Sequence, residues 1–158
     1  MRKLSIIVGC GLGLLLAGPI AAQLTPPITT ATAAAEAAPM KPLVAAARGR
    51  LAANVRYDGA YMRLDYPGGD VPADMGVCTD VIIRSYRAAY GFDLQKAVHE
   101  DMRADFADYP KNWGLTRPDK NIDHRRVPNL ERWFTRAGHA LPKTRNAKDY
   151  HPGDIVSW

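Results

Sequence analysis

Residues 76–90 read GVCTDVIIRSYRAAY, and this stretch decides the fold that we expect. Its apolar side chains recur at helical spacing and cover most of the circumference, which is typical of a helix buried at the centre of a domain. Gly91 follows directly and is the residue expected just past a helix C-terminus. The sequence therefore predicts a central helix from about Val77 to Tyr90, with Cys78 in its first turn.

Three further helices are predicted on either side of this one. Apolar residues between 43 and 56 recur at helical spacing in an Ala-rich stretch. Asp93 is a good N-cap for a helix that ends before Pro110, and Asn129 is expected to cap a short helix over residues 130–137. The helix-rich pattern indicates that strands are confined to a small part of the domain.

The last residues of the chain predict a turn and the start of a strand. The turn is Pro152-Gly153-Asp154, and the apolar residues 155–158 follow it. An isolated strand needs a partner, and the only partners in this sequence lie upstream.

The first 42 residues contain two segments that precede the domain. Residues 1–22 combine a basic start, an apolar run shorter than the roughly 20 residues that span a bilayer, and small residues suited to cleavage, so they are predicted to be a signal peptide. Residues 23–42 are Ala, Thr and Pro with almost no large side chains, which predicts a disordered tether. Residues 43–158 then form one domain. We expect a periplasmic or secreted protein without a stable membrane span after cleavage; an uncleaved anchor is the alternative.

Charge and ligand patterns exclude several classes of partner. The net charge is +5, but the basic residues alternate with acids and aromatics instead of forming one stripe, so we expect no nucleic-acid partner. No two histidines stand at metal-ligand spacing, and Asp74, Asp80 and Asp123 form no recognised arrangement. We therefore expect neither a metal nor another cofactor.

Cysteine usage draws attention to one residue. Cys10 lies inside the predicted signal peptide, which leaves Cys78 alone in the exported domain. The free N–H groups and the dipole at a helix start favour a thiolate, and nucleophilic cysteines use this placement. We favour a nucleophile; the alternative is a small side chain buried in the core.

Among the histidines, His124 is the one in an unusual setting. It lies between Asp123 and Arg125 in a polar segment with apolar residues at both ends. It either belongs to a polar network that fixes the loop, or is oriented by Asp123. Three others fit ordinary surface or loop positions: His99, His139 and His151.

Four strings of this sequence resemble an exported bacterial family, the domain-of-unknown-function family 1287. They are YPGGDVP at 66–72, GVCTDV at 76–81, HEDM at 99–102 and NIDHRRVPNL at 121–130. The resemblance covers about residues 43–158, and the last string is the most specific.

The resemblance implies both a fold and an activity. The family looks like a relative of the NlpC-type, papain-like cysteine peptidases, which cut peptide cross-links and stems of bacterial cell walls. It implies an α+β fold with a helix bundle on a small antiparallel sheet, a cysteine opening the central helix and a base histidine on a strand after a Pro-Gly-Asp turn. Cys78 and Pro152-Gly153-Asp154 match these landmarks. The expected histidine would lie beyond Trp158, so we expect an incomplete sheet and poor activity of this chain.

The function we expect is an exported cysteine hydrolase of amide bonds, acting on peptidoglycan peptides or another envelope substrate. Cys78 would attack the carbonyl. Four residues are expected to shape the site or bind a substrate carboxylate: Asp80, Asp123, His124 and Arg125. The alternatives are a non-catalytic wall-binding module or inactive remnant, and an exported structural protein.

Overall fold

The structure, a computed structural model, describes residues 41–158. The predicted signal peptide and nearly all of the predicted tether lie outside these residues. The α-helices of the described part are α1 (Pro42–Gly49), α2 (Cys78–Tyr90), α3 (Leu94–Ala104) and α4 (Val127–Arg136). Its strands are β1 (Arg56–Tyr57) and β2 (Met75–Gly76). Short 3-10 turns occupy Arg50–Ala53, Phe106–Asp108, Asp123–Arg125 and Ala147–Asp149.

The sheet differs from the expectation. β1 and β2 pair in parallel, with Arg56 opposite Met75 and Tyr57 opposite Gly76, so the expected antiparallel pairing is wrong. The chain between them makes a long return that brings β2 alongside β1 in the same direction, whereas a tight hairpin would have reversed it. The predicted strand over residues 155–158 does not form in the structure either. The coarser class, helices with a small sheet, is confirmed.

The central helix α2 has nearly the predicted limits. It ends at Tyr90, and the positive φ of the next residue, Gly91 (62°), brings the N–H of Phe92 back to the carbonyl of Tyr86 at 3.4 Å. Its burial, however, is confined to part of its surface, and most of the buried residues are polar: Thr79, Asp80, Ile83, Arg84 and Ser85. The expectation of an apolar helix buried over most of its circumference is wrong, because polar partners from other segments pack against these residues.

The apolar core holds the middle of α2. Ile83 packs with residues of α3 and α4, and each fully buried side chain of this kind contributes roughly 1.5–3 kcal/mol. The buried members are Ile83, Leu94, Val98, Met102, Tyr109 and Leu130. The first turn of α2, with Cys78, lies outside this apolar cluster.

Two predicted helices have different starts or ends. α1 stops at Gly49 and gives way to a 3-10 turn that ends at Asn54, whose φ is 46°. α4 begins at Val127, with Pro128 in its first turn, where a missing N–H costs nothing. Asn129 is therefore not an N-cap; its side-chain amide is buried and donates to the carbonyl of Asp123 at 3.1 Å.

Gly76 connects β2 to α2 at a position with no room for a side chain. A Cβ atom there would lie 2.9 Å from Oδ2 of Asp80, and φ is +156°. We expect Gly76→Ala to lower the free energy of unfolding by about 1–3 kcal/mol in urea denaturation, since the carboxylate must leave its partners. Gly49→Ala is the matched control, because a Cβ atom added at Gly49 would meet no other atom within 4 Å. Equal losses for both variants would contradict this explanation.

Candidate active site

Cys78 is the first residue of α2, and its side chain is exposed. The alternative in which it fills the core is therefore wrong. Val77, just before it, is extended (φ −121°, ψ 179°), so the chain turns into the helix at Cys78 itself. The first N–H groups of a helix have no partner within the helix and carry a partial positive charge, so they attract a negatively charged ligand atom near Cys78.

Asp80 fixes the start of the helix from inside the protein. Its Oδ2 accepts a hydrogen bond from the backbone N–H of Val77 at 2.6 Å. The same carboxylate forms a two-point ion pair with Arg125, in which Nε and Nη2 each lie 2.9 Å from a carboxylate oxygen. The side chains of Asp80 and Arg125 are 4% and 2% exposed. Such forked pairs are the most directional of ionic hydrogen bonds.

Arg125 joins the start of α2 to two other segments. Its Nη1 donates to the carbonyl of Ala60 at 3.3 Å, and its Nη2 donates to that of Asp58 at 3.4 Å. Its own carbonyl accepts the hydroxyl of Thr79 at 2.8 Å. The two residues that follow Cys78 are thus both bound to Arg125.

The segment 58–60 is itself held in a fixed turn. The carboxylate of Asp58 accepts a bond from the N–H of Ala60 and one from Arg56, and these contacts hold the pKa of Asp58 below its ordinary value. A Cβ on Gly59 would lie 3.5 Å from Cγ1 of Val77. The segment therefore runs against the residue that precedes Cys78.

Asp123 and His124 are buried in the 3-10 turn that carries Arg125. Asp123 is 1% exposed, and burial raises its pKa to about 6 although the Asp119 N–H and Arg126 act in the opposite direction. His124 is 2% exposed, and burial lowers its pKa to about 4, against the attraction of Asp80. The imidazole is therefore neutral at pH 7, inside the protein beside the ion pair.

Sequence reasoning missed the side chains that tie this turn to the segment before β2. The amide of Asn121 donates to the Tyr61 hydroxyl at 2.8 Å, and its oxygen accepts the N–H of Leu64 at 2.9 Å. The Tyr61 hydroxyl in turn donates to Asp119 at 3.0 Å. Asn121 is the first residue of the NIDHRRVPNL segment, so the sequence did draw attention to it. No feature of the sequence around Tyr61 indicated that its hydroxyl would bind this turn.

Gln95 and Arg84 hold the loop that leads into β2. The Gln95 side chain is fully buried and contacts three backbone groups: the N–H of Gly69 and the carbonyls of Asp65 and Lys120. Arg84 pairs with Asp70 at 2.9 Å, and it also donates to three carbonyls, those of Val71, Pro72 and Met75. Both side chains therefore fix the backbone of the loop that leads into β2.

A separate aromatic cavity lies toward the other end of α2. Its volume is about 310 Å³, and it is lined by Tyr86, Tyr90, Phe92, Trp133, Phe134 and His139. Tyr86 is eight residues along the helix from Cys78, about 12 Å at the usual rise per residue. None of its lining residues contributes to the polar contacts around Cys78.

The described residues carry neither a membrane-span signature nor a metal-site signature. Between residues 41 and 158, no helix has the length and apolar character needed to cross a bilayer. Nor do the His, Cys, Asp and Glu side chains of this part of the chain gather in a group of three or more that could hold a metal ion.

The fold and site define a small α+β domain with an exposed cysteine at the start of its central helix and a buried acid–base cluster behind it. The chain belongs to the family described as Domain of unknown function (DUF1287), whose model matches residues 44–158. It is 57% identical over 112 residues to the "Uncharacterized protein YijF" of Escherichia coli (strain K12), a match that covers 71% of this chain and 54% of the relative. The chain thus spans about half the length of this curated relative. No solved structure matches it.

Proposed function

We propose that this protein is an exported cysteine hydrolase that cuts amide bonds in peptides of the cell envelope, with Cys78 as the nucleophile. The observation that carries the proposal is the exposed thiol on the first residue of α2, where the neighbouring residues Val77, Thr79 and Asp80 are all held by hydrogen bonds. An exposed thiol on a rigid helix start can meet a substrate in a fixed orientation.

The reaction follows from that placement. The Cys78 sulfur bonds to the carbonyl carbon of the amide, and the negative charge that develops on the carbonyl oxygen faces the N–H groups at the start of α2. The proton that the thiol gives up passes to the leaving nitrogen, the C–N bond breaks, and the acyl group stays on Cys78 as a thioester. Water splits the thioester, which returns the thiol and releases the acid.

Peptidoglycan peptides are the substrate we propose, and the envelope is the compartment. The support is the resemblance to NlpC-type peptidases together with the pattern of residues 1–22, which is typical of a signal peptide. In this setting Asp80, Asp123, His124 and Arg125 shape the site from behind Cys78, since all four are buried.

The test is release of peptides from purified cell walls. We expect the wild-type chain to release them slowly, because its expected base histidine would lie beyond Trp158, and Cys78→Ala to reduce the release to the background rate, since loss of a nucleophile removes most of the catalysis. Cys78→Ser keeps the shape of the side chain and controls for folding. The full-length Escherichia coli relative is assayed in parallel, because this chain spans about half of it. Equal release by wild type and Cys78→Ala would refute the proposal.

A second candidate function is a non-catalytic module that binds the wall. One observation favours it. The His124 imidazole is 2% exposed, whereas Cys78 is exposed to solvent, so His124 is not placed to act as the base for this thiol. A protein of this kind would bind purified walls equally well as wild type and as Cys78→Ala, and neither form would release peptides.

A further inference from the structure

We propose that Arg125 is a positioning residue that sets the reactivity of Cys78, by neutralising Asp80 and by holding segment 58–60 beside Val77. The inference rests on the proposed role of Cys78 as nucleophile and adds the group that controls it.

Four of the five N–H donors of Arg125 are already used within the protein. Its guanidinium makes two bonds to Asp80 and one each to the carbonyls of Ala60 and Asp58, and its side chain is 2% exposed. A substrate carboxylate would have to displace Asp80 from a buried pair to reach it, which is costly. Its effect on the reaction must therefore pass through the groups that it holds.

The first of these groups is the negative charge of Asp80. Asp80 lies in the same helical turn as Cys78, and its carboxylate binds the N–H of the residue just before the cysteine. Without Arg125, the Asp80 carboxylate would oppose a thiolate at Cys78, because like charges within one helical turn repel appreciably in a partly buried site. The positive charge of Arg125 offsets the negative charge of Asp80, so the buried pair as a whole is neutral.

The second group is the segment that passes the helix start. The carbonyls of Asp58 and Ala60 are bound to Arg125, and Gly59 between them lies against Val77. One guanidinium therefore fixes both the position of the helix start and the segment beside it. A lysine would supply the charge but not the planar fork that reaches both carbonyls and Asp80.

The experiment measures the rate of Cys78 alkylation by iodoacetamide from about pH 5 to about pH 9, the range in which thiols titrate. We expect Arg125→Met to move the pH of half-maximal rate upward and Asp80→Asn to move it downward, each by roughly half to one pH unit. Arg125→Lys should keep the wild-type pH profile. Burial keeps His124 neutral above about pH 5, and Asp123 titrates near pH 6, so neither changes charge in the upper part of the profile.

Arg84→Met is the matched control for a purely structural role. Arg84, in α2, is likewise a buried arginine that pairs with an aspartate and binds backbone carbonyls, but its partners are residues 70–75. We expect this variant to lose stability without moving the pH profile.

Three results would overturn the inference. They are shifts of the same sign for Arg125→Met and Asp80→Asn, a shift for Arg84→Met as large as that for Arg125→Met, and an unchanged profile for Asp80→Asn. If Arg125→Met does not fold, the pH profile of Asp80→Asn is sufficient by itself to test the inference. Opposite shifts without any release of wall peptides would refute the proposed hydrolase and leave the coupling intact.

Discussion

Replacing Arg125 by methionine is expected to lower the free energy of unfolding by about 3–5 kcal/mol. The substitution leaves the Asp80 carboxylate buried without its cation, and breaking a buried pair from one side is among the most costly changes in a protein interior. It also removes the donors for the carbonyls of Asp58 and Ala60. Urea denaturation of the two proteins measures the difference.

Arg136→Met tests whether burial or the number of ion pairs decides that cost. Arg136 pairs with three aspartates, Asp101, Asp105 and Asp108, but its side chain is 28% exposed. Exposed pairs contribute little because water and salt screen them. We expect a much smaller loss than for Arg125→Met. A loss of the same size would show that burial is not what makes the Asp80–Arg125 pair important.

The double variant Asp80→Asn/Arg125→Met separates the pair from its other contacts. Each single change leaves one buried charge alone, whereas the double change leaves none. The double variant is therefore expected to lose less stability than the two single variants added together. Strict additivity would mean that the two groups are not coupled.

The second large effect is on the pH dependence of stability, through Asp123 and His124. Burial raises the pKa of Asp123 from 3.8 to about 6, so the folded protein binds more protons than the unfolded chain between these values. Stability from this group falls as the pH rises from about 4 to 6. Burial lowers the pKa of His124 from 6.5 to about 4, so its contribution rises over nearly the same range. In the wild-type protein the two slopes largely cancel.

Replacing either Asp123 or His124 should reveal how the other residue makes stability depend on pH. In Asp123→Asn the His124 contribution is no longer opposed, and stability should rise from about pH 4 to pH 6.5 with a slope on the order of 1.4 kcal/mol per pH unit or more, since burial also lowers the pKa of His99. In His124→Asn stability should instead fall from about pH 4 to pH 6. Thermal or urea unfolding at several pH values measures both. Two variants with parallel curves would mean that at least one of these groups is not buried in its neutral form.

Local features of the chain were predictable because they depend on neighbours in sequence. The end of α2 at Gly91 and the N-cap at Asp93, whose carboxylate accepts the N–H of Gln95 at 3.0 Å, both follow from rules that act over a few residues. The start of α4 was misplaced because Asn129, a good N-cap by type, is used for a tertiary contact with Asp123 instead.

The site could be predicted only in part, for a related reason. Its residues were identified by type and by resemblance, but their partners lie far away in the sequence. Arg125 binds Asp80 and Ala60, which are 45 and 65 residues earlier in the chain. No local pattern specifies such pairings. Parallel pairing of β1 and β2 was missed for the same reason, since it depends on the path of the chain between them.

The way Gln95 holds its loop limits how this position can vary. Its amide offers one acceptor and two donors, and the structure uses all three, on Gly69, Asp65 and Lys120. Glutamate would keep the acceptor and lose both donors, and asparagine is one methylene too short to reach the same atoms. Both substitutions therefore give up buried hydrogen bonds to the backbone, whereas Lys96, an exposed residue of α3, can be replaced without breaking a buried contact.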